Sequence, residues 1–584
     1  MTEVRKIGII GVGPRGGYAL EKLILELEAR NSLINIHLTL FESTGNFGNG
    51  QVYNLHQDSS NWINITERIL ELEPRKAIVT NTLKIPSFPS YHEWINKNFH
   101  TLPDDTIDTY PPRKQIGEYL SQRFQSLTKP LIKSKIVTLH KQLAKEVKLL
   151  NNDKIQIITN PNTYEDFSEI LLTIGHQTTE LSPQILDWDQ FALDKENINL
   201  FKSPYPITNY LHHKNLNNDS IIGIRGFGLA MIDVVRAITK KFGNFTILDE
   251  KTKSSTFQTK ENITSKLVPF SLDGLPPAPK PLNALIDKWF EPSEASMVAF
   301  ENQIANKKIQ EKAESSYFLI AAFAPIAAHI YLQLPDAINP QNLSRAAIVK
   351  LIMEWLCDQN LKHSIITPRQ QPSEKIMEIY VEMATGKTAI SLDYCIGQVW
   401  RYCQPSIYNK LSYNACSDTV FAEIIALDES TKRYSYGPPV ESIQQLLALV
   451  KSGILNLDMV NDPNIELTKE GWRFRQSGKS ITATVMIDSV LDSPQIKSVS
   501  TPIVKNMLHD NLIKTVHDDL GVKTDEYGFL ISSDTDKKIP IALLGRLAKG
   551  TIIGVDAILE CYGSRPLQWA KQAAANHIDW LNKK

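Results

Sequence analysis

The residues with the clearest chemical potential stand near the start of the chain. Gly11-Val12-Gly13-Pro14-Arg15-Gly16 sets three glycines in a GxGxxG spacing. Gly11 permits a tight turn, Gly13 lets backbone approach a pyrophosphate, and Gly16 lets a helix pack closely on the preceding strand. The helix N-terminus, with Pro14 and Arg15 in its first turn, then faces the anion. Glu42 closes the next apolar run, where a carboxylate can accept hydrogen bonds from both ribose hydroxyls of an adenosine. Gly226-Phe227-Gly228-Leu229-Ala230-Met231 repeats the pattern, with Met231 in the third glycine position. Two such turns point to two nucleotides, the requirement of a flavin reduced by a nicotinamide. A third stretch, Phe47-Gly48-Asn49-Gly50-Gln51-Val52-Tyr53, is a permissive loop that can lie flat against a planar ligand.

The flanking elements are those that must position these turns. Lys6–Ile10 reads as a strand, Tyr18–Leu27 as a helix with Leu20, Leu23, Ile24 and Leu27 on one face, and Ile36–Phe41 as a second strand. Ser220–Ile224, Ala230–Thr239 and Phe245–Leu248 repeat that strand-helix-strand order. Between Pro276 and about Asp418 the pattern turns helical, over Ser293–Lys312, Tyr317–Leu334 and Ser344–Gln359. Strand-like runs return at Phe421–Leu427 and Ile481–Val490. Ile539–Leu544 and Ile552–Cys561 read as a last strand and a last helix. Polar breaks near Asn151–Asp153, Lys251–Ser265 and Asn461–Asn464 read as loops. The expected fold is α/β, with two Rossmann-like dinucleotide-binding domains and a helical insertion. The first domain takes 1–195 and 491–584, the second 196–275 and 425–490, and the insertion 276–424.

Composition narrows the partners. The 584 residues are 42% hydrophobic and 22% charged, enough for a sizeable core. Lys and Arg number 63 against 64 Asp and Glu, a net charge of −1 that argues against bulk nucleic-acid binding. Five cysteines with no CxxC pair argue against a disulfide framework or thiol zinc site, and adjacent His212 and His213 form no ligand set, so no metal is expected. Phe318–Leu334 is strongly apolar but short, and it carries Pro325 and His329, so it reads as a buried helix rather than a membrane span. Gly11, Gly13, Pro14 and Arg15 break the first apolar run, which no secretory signal would tolerate. The expectation is a soluble, cytoplasmic protein whose oligomeric state is left open.

The first glycine turn, with Phe47-Gly48, Gly50 and Val52-Tyr53, resembles the FAD/NAD(P)-binding family of large bacterial flavoproteins, distant relatives of the lysine and ornithine N-hydroxylases. Asn61-Trp62-Ile63-Asn64, Pro112-Arg113 with Gly117-Glu118-Tyr119-Leu120, and Thr173-Ile174-Gly175-His176 resemble further family segments. So do Gly226-Phe227-Gly228-Leu229 with Asp233, Tyr436-Gly437-Pro438-Pro439, and Leu544-Gly545-Arg546-Leu547. The resemblance implies FAD and NAD(P)H as cofactors, with a small amino acid or amine and oxygen as substrates. It implies a monooxygenase that N-oxidises through a C4a-hydroperoxyflavin; aspartate is one plausible substrate. An NAD(P)H-dependent flavin oxidoreductase without oxygen insertion and a non-catalytic nucleotide-binding protein are the alternatives. In this reading Asn64 is a polar contact near the flavin, Arg113 a clamp for a substrate carboxylate, and His176 a ligand-side residue at a strand end. Gly175, Gly545 and Arg546 join the cofactor set. The family's Ser-Arg-x-Gly segment is Ser271-Leu272-Asp273-Gly274 here, without the Arg that meets a 2′-phosphate. Lys251 and Lys253 could replace it or form a solvated loop. Asp393 and Arg401 lie in the insertion with no role that the sequence assigns.

Overall fold

Strand Arg5–Ile10 is buried and without charge over Ile7 to Ile10, as a strand covered on both faces requires. It sits in the middle of a sheet ordered Phe529–Ile531, Lys538–Leu543, Thr163–Leu172, Arg5–Ile10, Ile36–Phe41, Val137–His140. This is a computed structural model, and it describes residues 3–80, 83–150 and 153–584. Neighbours of the central strand run parallel to it, with Ile7 opposite Leu38 on one side and Glu169 on the other. Glu146–Leu149 and Ile155–Ile158 enter Thr163–Leu172 as an antiparallel meander. The C-terminal strand Lys538–Leu543 joins the same sheet, parallel to Thr163–Leu172.

Helix Pro14–Ala29 covers one face of this sheet. Its Leu20, Leu23, Ile24 and Leu27 share a core with Trp569, Ala570, Ala573 and Ala574 of the final helix Ser564–Asn582. Glu21 on its other side is held by Arg123 (2.6 Å) and Arg75 (3.3 Å), all three buried. One ion triad therefore ties the first helix to helix Arg113–Lys133 and to the segment around Arg75.

The second sheet is all parallel, ordered Lys266–Phe270, Ile221–Arg225, Val485–Asp488, Asn199–Phe201. Its strand Ile221–Arg225 runs into the second glycine turn and helix Leu229–Phe242. Ile222, Ile224 and Val234 of this unit share one hydrophobic core with Phe323, Trp400 and Ile443 of the helical region. The insertion is thus packed into the second nucleotide unit.

Several expectations differ from the observed elements. Phe245–Leu248 is not a second parallel strand: Gly243–Asp249 pairs antiparallel with Ser254–Thr259 in a separate two-stranded sheet. Ile247 and Leu248 are both exposed, so this run could not fill an inner strand, and Lys266–Phe270 takes that place. The expected loop Lys251–Ser265 accordingly contains a strand. Phe421–Leu427 lies inside helix Asp418–Ser435, whose N-cap Ser417 accepts from Val420 N and whose buried Val420, Phe421, Ile424, Ile425 and Asp428 recur at helical spacing. Ser293–Lys312 is split into Glu294–Ile304 and Lys307–Lys312 by Asn306, which caps the second piece. Ile552–Cys561 is helical only over Ile558–Cys561, and the last helix is Ser564–Asn582. In the polar break at Asn151–Asp153, Asn151 and Asn152 lie outside the described residues. Tyr317–Gln333 is a largely buried helix as expected, and among the described residues no helix is long and apolar enough to cross a membrane.

Candidate functional site

The glycines of the first turn have separable tasks. Gly11 has φ +86°, and a Cβ there would lie 2.6 Å from Thr173 O. A Cβ on Gly16 would lie 2.6 Å from both Gly11 O and Thr173 Oγ1. These two close the turn and seat the helix on the sheet. Gly13 is different. It is the N-cap of Pro14–Ala29, with no side-chain cap and no acid in the first turn, and a Cβ there would only touch Gly50 Cα at 3.5 Å. The positive helix end is left for an anion from outside.

The loop after the second strand folds back onto this turn. Gly48 N donates to Val12 O at 2.7 Å, and Gly48 and Gly50 both have positive φ. Tyr53 is half-buried at its end, while Val52 is exposed. Glu42 is held locally: its Oε2 accepts from Thr44 N and Oγ1, Gly45 N and Asn46 N. Those bonds shape the loop and leave Oε1 as the ligand-side oxygen. Arg15 turns away from the helix end and donates to Glu560 O (3.2 Å) and Val555 O (3.0 Å), next to Gly545. The C-terminal segment is thereby latched against the first turn.

At the second turn, Gly226 has φ +110° and abuts Ser489. Gly228 is the N-cap of Leu229–Phe242, again uncapped by a side chain and without an acid in the first turn. A Cβ on Gly228 would meet nothing within 4 Å. Asp233, in the next turn, is buried; it accepts from Tyr205 Oη and Arg113 Nη2, the latter at 3.3 Å. Burial pushes the Asp233 carboxyl up, and the Arg113 guanidinium opposes that shift. Arg113 lies 5.4 Å from the Tyr205 ring, and Arg236 lies 3.6 Å from the Trp62 ring. Burial lowers Arg236 to about 10. The two contacts clasp the first unit to the second.

The junction between the units is the candidate cleft. Gly175 has φ +66° and open space where a Cβ would be. His176 beside it is brought down to about 4, first by desolvation and then by Arg546, with Asp556, Asp492 and Arg113 also acting on it. It is therefore neutral above pH 5. Arg546 donates to Asp556 Oδ1 and to Asp492 O (2.7 Å), which ties together the two ends of the C-terminal return. Asn64 Nδ2 donates to Tyr436 O at 2.7 Å, and its Oδ1 is buried without a partner, as is Arg113 Nε. Orphaned polar atoms, two uncapped helix ends and glycines with open Cβ positions fit a pair of dinucleotides lying along this cleft.

Residues 8–177 match the FAD-NAD(P)-binding family model. This segment holds the first glycine turn and the loop that folds onto it. No curated protein matches the chain in sequence. Among solved structures, the chain is similar to a cyclohexanone monooxygenase variant from Rhodococcus sp. Phi1 bound to NADP+, at 11% identity and a TM-score of 0.44, over 98% of this chain and 86% of that one. It is similar to ornithine hydroxylase from Pseudomonas aeruginosa at 12% identity and a TM-score of 0.42, over 98% and 100%. It is similar to L-lysine 6-monooxygenase from Pseudomonas syringae at 12% identity and a TM-score of 0.44, over 98% and 99%.

The segment that matches this family model contributes Gly11 to Gly16, Glu42, Gly48 to Tyr53, Asn64, Arg113, Gly175 and His176 to the candidate site. Gly226, Gly228, Leu229 and Asp233 come from the second unit, and Gly545 and Arg546 from the C-terminal return. Lys253 is paired with Glu250, and Asp273 with Arg433. Asp393 is a buried structural acceptor for Thr367 N, Thr367 Oγ1 and the Tyr434 hydroxyl. Arg401 pairs with Asp287, which also accepts from Arg68, itself bidentate to Asp108. Glu560 and Lys280 carry no sequence signal of their own, yet the fold brings them, with Tyr436 of the Tyr436-Gly437-Pro438-Pro439 segment, to the Asn64 side of the cleft. Glu560 is pushed up to about 7 by burial and accepts from Tyr436 Oη at 3.4 Å. Away from the cleft, Glu71, His92 and His100 gather with ligand atoms within 4.8 Å of one another, the grouping of metal-ligating side chains found among the described residues.

Proposed function

We infer that the protein is an FAD-dependent, NAD(P)H-using monooxygenase that oxidises the nitrogen of a small amino acid or amine. The observation that carries this reading is the pairing of two uncapped glycine-turn helix ends across one cleft, one of them in an FAD-NAD(P)-binding domain. Bound FAD would supply electron transfer from the nicotinamide and activation of oxygen. The chain supplies the rest. Gly13 and the helix end at Pro14 hold the pyrophosphate, and Glu42 Oε1 meets the ribose. Gly228 and the end of Leu229–Phe242 hold the second nucleotide. Asn64 Oδ1 is a positioned acceptor beside the flavin site. Arg113, clasped to Asp233, orients the two units rather than a substrate carboxylate. The helical insertion shares the hydrophobic core of the second unit. The division into 1–195 with 491–584, 196–275 with 425–490, and 276–424 follows the same reading.

The test is substrate-stimulated turnover. A panel of amino acids and amines should raise NAD(P)H consumption and yield an N-oxidised product. Consumption that no amine alters, with all oxygen leaving as peroxide, would make the protein a flavin oxidoreductase instead.

A further inference from the structure

Lys280 is the cleft residue that the reading above leaves unused. Its Nζ donates to Asn64 O and Gly437 O, both at 2.8 Å, and among the described residues no carboxylate pairs with it. A protonated lysine has three donors and needs an anion when desolvated; a neutral one has two donors and a lone pair. Two backbone carbonyls satisfy the two donors of the neutral form and leave the lone pair free. The side chain is half-buried. Burial holds Lys280 well below the ordinary lysine range, the Arg401 charge lowers it further, and Asp287 opposes. Asp287 is itself held by Arg401 and Arg68, and Arg68 by Asp108, so these four charges balance. The phenols of Tyr110 and Tyr394 complete the group, both raised by burial. Arg401 gives Nη2 to Asp287 and Nε to Gln398, and its Nη1 takes no acceptor among the described residues.

We propose that Lys280 is the base that deprotonates the substrate ammonium while Arg401 Nη1 holds the carboxylate of the same molecule, so that the substrate is an amino acid. The proposal rests on the N-oxidation reading, since only the free amine has the lone pair needed to attack activated oxygen. The step is a proton transfer: the substrate N–H bond breaks, the Lys280 amine becomes ammonium, and the substrate amine keeps the electron pair. Lys280 later returns the proton to water in the cleft. An amine without a carboxylate should be a poor substrate because Arg401 would stay unpaired.

Two measurements test this. The first does not involve turnover: competitive acetylation of the FAD-loaded protein across pH 5–11, read by mass spectrometry, reports the protonation of Lys280. Labelling that follows a group titrating well below other lysines is expected; titration at the ordinary lysine value would overturn the proposal. The second is Lys280→Met. Amino-acid oxidation at pH 7 should fall by about 10²-fold or more. The acid limb of kcat/KM should move up to the substrate amine's own titration, and added methylamine should restore part of the rate. A Lys280→Met protein with the wild-type acid limb and undiminished product would also overturn it. If wild type oxidises no amine while Lys280 still labels as a neutral base, the N-oxidation reading fails and the basicity claim stands apart from it.

Discussion

At the residue scale, the glycines of the first turn make opposite predictions. Gly16→Ala places a methyl 2.6 Å from backbone and should lower stability enough to impair folding. Gly13→Ala meets only Gly50 at 3.5 Å and should fold, whereas Gly13→Leu should fold but lose FAD, because its side chain fills the anion's place. Absorbance at 450 nm per protein, with circular dichroism as the folding control, separates these outcomes. A yellow, fully loaded Gly13→Leu protein would contradict the assignment. Glu560 makes a pH prediction. Its folded value, about 7, lies above the ordinary glutamate value of about 4.5, so the native state holds the proton between those limits. This group favours folding below about pH 4.5 relative to higher pH, and that advantage is lost as pH rises through 7. The shift corresponds to roughly 3 kcal/mol. Glu560→Gln should therefore raise the melting temperature relative to wild type at pH 8 and leave it nearly equal at pH 4.5. Equal differences at both pH values would contradict the raised titration.

At the element scale, helix Pro14–Ala29 is fixed by more than its apolar stripe. Glu21 sits between Arg123 and Arg75, and Glu21→Gln would leave two buried guanidinium groups facing each other. A loss of about 3–5 kcal/mol is expected in chemical denaturation. The first unit was legible in the sequence because its strand, turn and helix are contiguous and each carries its own signal. The second was legible only to its first helix. Phe245–Leu248 has strand composition, but which strand pairs with Ile221–Arg225 is decided by the burial of Lys266–Phe270, twenty residues further on. Phe421–Leu427 shows the same limit: six apolar residues around Glu423 read as strand until Ser417 and the spacing through Asp428 are counted together. Lys280 could not be singled out at all, since its partners, the carbonyls of Asn64 and Gly437, are distant in sequence and are backbone atoms.

At the scale of the whole molecule, two nucleotide units share a cleft because the chain crosses between them repeatedly. Arg113 reaches Asp233, and Trp62 meets Arg236. The helical insertion belongs to the second unit's core. Charge transfer between a nicotinamide and a flavin requires this junction. Asp233→Asn weakens the Arg113 clasp and should slow NADPH-driven flavin bleaching at least tenfold while leaving FAD content unchanged. Stopped-flow absorbance checks this, and unchanged bleaching would show that the clasp is dispensable.

The most direct test of the central claim is the visible spectrum of the purified protein, followed through anaerobic NADPH and then air with an amino acid present. The account predicts a bound flavin that bleaches with NADPH and recovers in air as N-oxidised amino acid accumulates. A flavin that never bleaches, or a protein that binds none, would contradict it.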